Sequence, residues 1–340
     1  MTAYDRHIET ACRLPLPWRQ MDGCNVLVTG ATGLIGGCLT DILMRAPVSG
    51  INVYAAGRDE ARARKRFADY EANPSFHFLP LDVTSPLQGN IPYHYIIHAA
   101  SNGSPAAFAH TPVEIVKANV YGVAHLMEYG LAHQMRRMLY VSSGEVYGEG
   151  DGRVFTENYS GYVDCTKARS CYPSSKRAAE TLCASYVAEY GADVVIARPS
   201  HTYGPHFTET DNRVYAQFIR NVLQDEDIVM KSEGRQFRSW CYVVDCATAL
   251  LYILLKGTSG EAYNIADNAS NVSIRKLAEL VADIGGRKVV VQLDDPEAEA
   301  QRSPVSRAVF DTSKLQALGW SIGGTLREKM AATIAMQKGK

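Results

Sequence analysis

From residue 25 to residue 197, apolar runs of four or five residues alternate with longer stretches whose apolar positions fall three or four apart. The first run, 25–29, ends on Gly30, and a helical period follows over 34–44. Further strands are expected over 52–56, 76–79, 95–98, 138–141 and 194–197, with helices over 58–70, 112–133 and 173–190 between them. Nearly continuous apolar strands separated by helices belong to a parallel sheet covered on both faces. Beyond Pro199 the rhythm changes: longer loops over 203–213 and 231–239 accompany helices expected over 212–223 and 273–284 and a set of short strands.

Glycine placement sharpens this pattern. Gly30, Gly33 and Gly36 lie in TGATGLIG, directly after the first strand and opening the first helix. There they permit a tight turn and bring a pyrophosphate to the helix N-terminus, where free N–H groups and the helix dipole favour negative charge. The predicted fold class is therefore α/β, a Rossmann-type doubly wound parallel sheet with a smaller C-terminal lobe on the carboxyl edge of the sheet, where open α/β sheets bind ligands. Residues 23–199 are assigned to the dinucleotide-binding domain and 200–340 to a mixed α/β substrate-binding lobe, the two interleaved as one rigid unit. Residues 1–22 form an N-terminal leader segment packing beside the fold. At the end of the second strand, where a carboxylate would hold the ribose 2′-hydroxyl of NAD, the chain reads Gly57-Arg58. A guanidinium there suits the 2′-phosphate of NADP, whereas an arginine that merely opens a solvated helix leaves the choice even, so both cofactors stay open.

Composition narrows the partners. The 340 residues are 46% hydrophobic and 21% charged with a formal net charge of −1, and such a balance lacks the basic excess of nucleic-acid or membrane-surface binders. No apolar run approaches the ~20 residues that span a bilayer. Asp5, Arg6, Glu9 and Arg13 interrupt the first twenty residues, which argues against a secretory signal and for a cytoplasmic protein. The eight cysteines (Cys12, Cys24, Cys38, Cys165, Cys171, Cys183, Cys241 and Cys246) form no CxxC and no Cys/His pair at ligand spacing, so reduced thiols and no metal site are expected.

Tyr172 and Lys176 form YxxxK at a helix start, and i, i+4 spacing puts both on one face. An ammonium beside a phenol lowers the phenol's pKa from ~10 toward working pH. Ser143, just past the fifth strand, is placed to hydrogen-bond both a substrate hydroxyl and the phenol oxygen. Asn119, midway along the preceding helix, is placed to hold a water near Lys176.

TGATGLIG, HAAS (98–101), KANVYG, SSGEVYG, YPSSK and RPSHTYGP occur in this order, and with them the chain resembles the extended short-chain dehydrogenase/reductases acting on nucleotide-sugars. RSCYPSSKRAAETLC, RVYAQFI, GRQFRSWCYVVD and NIADN look most like the UDP-glucuronate decarboxylase and dTDP-glucose 4,6-dehydratase branch. The resemblance implies that Tyr172, as phenolate, takes the sugar C4-hydroxyl proton while hydride passes from C4 to the nicotinamide, with Lys176 on the nicotinamide ribose and Ser143 orienting the hydroxyl. Around the dinucleotide it implies Gly30, Thr32, Gly33, Leu34, Ile35, Gly36, Gly57, Arg58, Asp82, Val83, Ala99, Ala100, Ser101, Asn119, Ser142, Tyr172, Lys176, Pro199 and His201. For the nucleotide-sugar it implies Ser101, Ser143, Glu145, Arg169, His201, Arg213, Arg238 and Arg302, with Arg238 and Arg213 toward the diphosphate and Arg169 toward a sugar carboxylate. Family dehydratases carry Asp-Glu where this chain has Gly144 and Glu145, so the acid for a departing C6 oxygen is missing; decarboxylases retain the Glu and need no such acid. The expected activity is oxidation of the sugar at C4 followed by decarboxylation or dehydration. A 4-epimerase, an NADPH-dependent 4-keto-sugar reductase and a non-catalytic dinucleotide sensor are the alternatives. Relatives pair as homodimers through two helices, here 112–133 and 173–190.

Overall fold

The computed structural model describes residues 1–209, 211–293 and 306–339. Its strands are β1 (Asn25–Thr29), β2 (Asn52–Gly57), β3 (Phe76–Pro80), β4 (Tyr95–His98), β5 (Arg137–Val141), β6 (Val194–Pro199), β7 (His201–Tyr203), β8 (Ile228–Met230), β9 (Phe237–Tyr242), β10 (Ala262–Ile265), β11 (Asp267–Ser273), β12 (Val289–Val291) and β13 (Arg307–Ala308). The helices are α1 (Ala3–Cys12), α2 (Leu34–Arg45), α3 (Glu60–Arg66), α4 (Pro105–His110), α5 (Pro112–Ala132), α6 (Cys171–Tyr190), α7 (Val214–Leu223), α8 (Val243–Lys256), α9 (Ile274–Gly285), α10 (Ser313–Gln316) and α11 (Leu326–Lys338).

Seven strands form the main sheet in the order β3-β2-β1-β4-β5-β6-β10, every pair parallel. The expected doubly wound α/β fold is present, with its topological switch between β1 and β4. The crevice beyond that switch, where ligands of such sheets sit, is lined by the turns after Thr29 and His98. The edge strand β10 comes from beyond Pro199, so the later part of the chain completes the main sheet as well as forming its own. That second sheet has β9 at its centre, antiparallel to β11 and parallel to β7 and β13.

Three local readings need correction. The helix expected over 58–70 is α3 plus a separate 3-10 turn at Ala68–Tyr70. Asp59 caps α3 by accepting the Arg62 backbone N–H at 2.9 Å, so the helix starts two residues later than its charge pattern suggests. Residues 1–22 are built into the core rather than laid beside it. Thr2 closes a capping box on α1, Ile8 is fully buried, and the Tyr4 hydroxyl donates to Asp41 of α2 at 2.6 Å. Helix α8 was not expected at all, although it buries twelve of its fourteen residues between the two sheets. Among the described residues no helix is long and apolar enough to cross a membrane.

Candidate active site

The glycine-rich turn is packed too tightly for side chains. Gly30 has φ +69°, and a Cβ there would lie 2.6 Å from the Ala99 carbonyl oxygen; one on Gly36 would lie 2.4 Å from the carbonyl oxygen of Gly30. Gly33 is the N-cap of α2 and offers no capping side chain, so the first amides of α2, from Leu34 and Ile35 onward, face the crevice. Ala99, Ala100 and Ser101 follow β4 on its other wall. The Ser101 hydroxyl and Asn119 Oδ1 are buried with no protein partner. Buried polar atoms of this kind ordinarily find one, and these two fit a polar ligand such as a dinucleotide. Asn119 Nδ2 donates to the Ser175 hydroxyl at 2.8 Å, tying α5 to α6. At the outer end, Gly57 faces Thr32, Asp82 accepts from the Thr84 N–H and hydroxyl at 2.9 and 2.8 Å, and Val83 is buried. Ser142 does not present its side chain to the crevice: its hydroxyl donates to Glu180 at 2.5 Å.

Tyr172 and Lys176 lie in the first turns of α6, both almost wholly buried. The Ser143 hydroxyl accepts the Glu145 N–H at 3.2 Å and lowers the pKa of the Tyr172 phenol, and Phe108 of α4 stacks on the ring at 4.8 Å. A Cβ on Gly103 would come within 3.4 Å of the phenol oxygen, so the 101–104 segment passes directly over it. Lys176 Nζ donates to the Val141 carbonyl oxygen at 2.8 Å and lies 5.7 Å from the centre of the Tyr172 ring. Burial dominates both groups. It pushes the Tyr172 phenol up to about 12, against the lowering effects of Ser143, Arg213 and Arg169, and pushes Lys176 down to about 7. The expected lowering of the phenol by Lys176 is thus absent, because desolvation disfavours the charged form of each group.

The arginines gather around this pair. Glu145 shifts the titration of both Tyr172 and Arg238, and Arg238 and Arg213 both bear on His201, so these side chains share one space. Arg169 reaches Glu145 at 3.2 Å and lays its guanidinium over Phe108, while its Nε is buried without a partner. Both members of that ion pair are about 30% exposed (31% and 28%), a setting where such a contact contributes only ~0–1 kcal/mol and a ligand readily opens it. Arg213 is more firmly held, with Asp211 at 2.5 Å and Tyr215 at 3.0 Å. Arg238, on β9, is buried deeply enough that its pKa falls to about 10. His201 keeps solvent access and packs on Trp240. Loss of solvation around the ring, then the nearby Arg238 and Arg213 charges, lower its pKa, which favours the neutral imidazole. Burial raises the Cys171 thiol, which leaves it inert as a nucleophile. Arg302 lies outside the described residues.

Sequence reasoning missed Phe108 and Phe310. Ser104-Pro105 is a recognisable helix start and signalled α4, which brings Phe108 to Tyr172. Nothing local signalled Phe310. A Cβ on Gly144 would lie 2.3 Å from Phe310 Cζ, so the ring fills the space of the missing side chain.

Residues 26–266 match the family model described as NAD dependent epimerase/dehydratase family. UDP-glucuronic acid decarboxylase 6 of Arabidopsis thaliana is 33% identical over 323 residues, 93% of this chain and 90% of that protein. Among solved structures, dTDP-glucose 4,6-dehydratase from Streptomyces venezuelae, with NAD bound, superposes with a TM-score of 0.81 at 22% identity, covering 93% of this chain and 97% of the other. UDP-glucose 4-epimerase from Thermotoga maritima gives 0.78 at 21% identity, covering 93% and 99%. At those identities the two structures establish the fold alone. The family match and the decarboxylase relative go further: the chain belongs to the NAD dependent epimerase/dehydratase family of enzymes.

Proposed function

We propose that the chain acts on a nucleotide-sugar, oxidising the sugar at C4, decarboxylating the resulting 4-keto acid and then reducing C4 again with the two electrons first removed, with UDP-glucuronate as the substrate. The observation that carries this reading is the convergence of Tyr172, Ser143, Glu145 and Arg169 in one space where residue 144 has no side chain and Phe310 occupies its place. Dehydration at C6 requires an acid at position 144 to protonate the departing oxygen. Loss of carbon dioxide from a β-keto acid does not, because the electron pair passes directly to the ketone. Near full-length similarity to a UDP-glucuronic acid decarboxylase supports the same choice.

The dinucleotide would be held by Gly30, Thr32, Gly33, Leu34, Ile35 and Gly36 at the pyrophosphate, by Gly57, Arg58, Asp82 and Val83 at the adenosine, and by Ala99, Ala100, Ser101, Asn119, Pro199 and His201 toward the nicotinamide. When bound, its oxidised ring supplies a two-electron acceptor and a positive charge. Tyr172 accepts the C4-hydroxyl proton, and Ser143 holds that hydroxyl against the phenol. A phenol pushed up to about 12 keeps its proton until positive charge enters the cleft, so proton acceptance is tied to a loaded site. Lys176 holds the ribose. Arg169, with a spare buried Nε, grips the sugar carboxylate; Arg238 and Arg213 supply charge for the diphosphate. Glu145 orients Arg169 and exchanges the proton at C5.

The protein also pairs with a second copy through α5 and α6, whose surface leaves Val113, Val116, Tyr121, Leu131 and Tyr190 exposed at 66, 40, 48, 40 and 60%.

Incubating the purified protein with UDP-glucuronate, dTDP-glucose or UDP-glucose, without added cofactor, tests the reading. UDP-glucuronate alone should react, with loss of the mass of carbon dioxide. Loss of water from dTDP-glucose, or unchanged mass with altered retention for UDP-glucose, would replace decarboxylation by dehydration or epimerisation.

A further inference from the structure

We propose that the dinucleotide this chain takes is the 2′-phosphorylated form, NADP, and that Arg58 and Arg62 form the notch receiving that phosphate. The inference rests on the dinucleotide site proposed above and concerns only which form enters it.

A site for an unmodified ribose needs a carboxylate to accept its 2′-hydroxyl, at the end of the second strand. Here that position is Gly57, whose Cβ, if it had one, would stand 3.5 Å from Thr32 Oγ1 of the glycine-rich turn. Three carboxylates of this edge already have partners within the chain. Asp59 turns back to cap α3 through the Arg62 N–H, and Asp82 is closed on the Thr84 N–H and hydroxyl. Glu114, on α5, is ion-paired with Arg58.

The same edge carries two guanidinium groups. Arg62 Nη2 donates to the Thr32 carbonyl oxygen at 2.8 Å, which fixes the arginine against the turn that would bear the pyrophosphate. Arg58, adjoining Gly57, is 61% exposed and its partner Glu114 48% exposed. A pair that open to water contributes ~0–1 kcal/mol, whereas guanidinium hydrogen bonds to a phosphate dianion are among the strongest polar contacts. The phosphate therefore displaces Glu114 rather than the reverse. Glu114 serves meanwhile to hold Arg58 at the mouth of the site, and its charge sets the competition the phosphate must win.

Titration of nucleotide-free protein with NADP and NAD, followed by calorimetry, tests the assignment without turnover. NADP should bind about tenfold or more tighter, the difference expected of one charge-assisted contact. Arg58→Ala with Arg62→Ala should lower NADP affinity at least tenfold more than NAD affinity, with circular dichroism showing that the variant is folded. Glu114→Gln should tighten NADP and leave NAD alone. Equal or tighter binding of NAD by the parent protein, or parallel loss of both nucleotides in the double variant, would overturn the proposal. Failure of both nucleotides to bind the parent would overturn the dinucleotide site itself, a result distinct from a lost preference.

Discussion

Phe310 Cζ stands 2.3 Å from the point where a Cβ on residue 144 would be, with the Pro199 carbonyl oxygen 3.4 Å away on another side. The ring is 2% exposed and packed edge-on against Tyr147 and Phe155, each at 5.7 Å between centres, so it has little room to swing aside. The missing acid at position 144 is thus matched by a residue far along the chain that has taken its volume.

Gly144→Asp should then destabilise the protein by ~1–3 kcal/mol, the usual cost of forcing atoms into a packed site, and should not create dehydratase activity. Adding Phe310→Ala should make the aspartate less harmful than the two single effects predict. Denaturant midpoints of the four proteins in this cycle give the coupling directly. A Gly144→Asp variant as stable as its parent would show that Phe310 yields freely.

Arg169 is expected to discriminate between sugars. Arg169→Ala removes one charged contact, typically ~1.5–3 kcal/mol, so affinity for UDP-glucuronate should fall about tenfold to a hundredfold while affinity for UDP-glucose changes little. Equilibrium titration of both ligands against parent and variant reads the difference. An equal loss for both would place Arg169 away from the carboxylate.

Lys176 imposes a pH dependence on folding. Burial lowers its pKa to about 7 in the folded chain, against 10.5 for an ordinary lysine. Between those values the unfolded chain carries the extra proton, so stability rises with pH across this window and is least favoured by this residue below it. The stability of nucleotide-free parent minus that of Lys176→Met should therefore climb from pH 7 to pH 10 by up to ~1.4 kcal/mol per unit. A flat difference would mean that Lys176 titrates as though exposed.

The exposed apolar side chains of α5 and α6 predict a dimer. Val116→Glu combined with Tyr121→Glu should halve the mass seen by light scattering and leave the fold intact by circular dichroism. A parent protein that is already monomeric would remove that interface.

Much of this arrangement was legible from local pattern. The first six strands announce themselves as short apolar runs, and Gly30, Gly36, Tyr172 and Lys176 occupy positions defined by spacing alone. Helix α8 escaped because it is apolar all round: with twelve of fourteen residues buried it lacks the polar face that gives a helix its period. Arg62 escaped because its role depends on Asp59 ending the loop one residue before α3, which sets the side chain against Thr32. Phe310 and Gly144 are joined only by the tertiary fold, through the Phe155–Phe310 bridge beside β13, and no local pattern encodes that meeting. The expected lowering of the Tyr172 pKa failed for a related reason, since spacing reveals a neighbour but not the depth at which both are buried.

Proton acceptance at C4 by Tyr172 is tested most directly by comparing parent with Tyr172→Phe on UDP-glucuronate. The parent should release carbon dioxide, and the variant should bind dinucleotide and sugar with parental affinity yet leave the sugar unchanged in mass. Carbon dioxide release by the variant at the parental rate would contradict it.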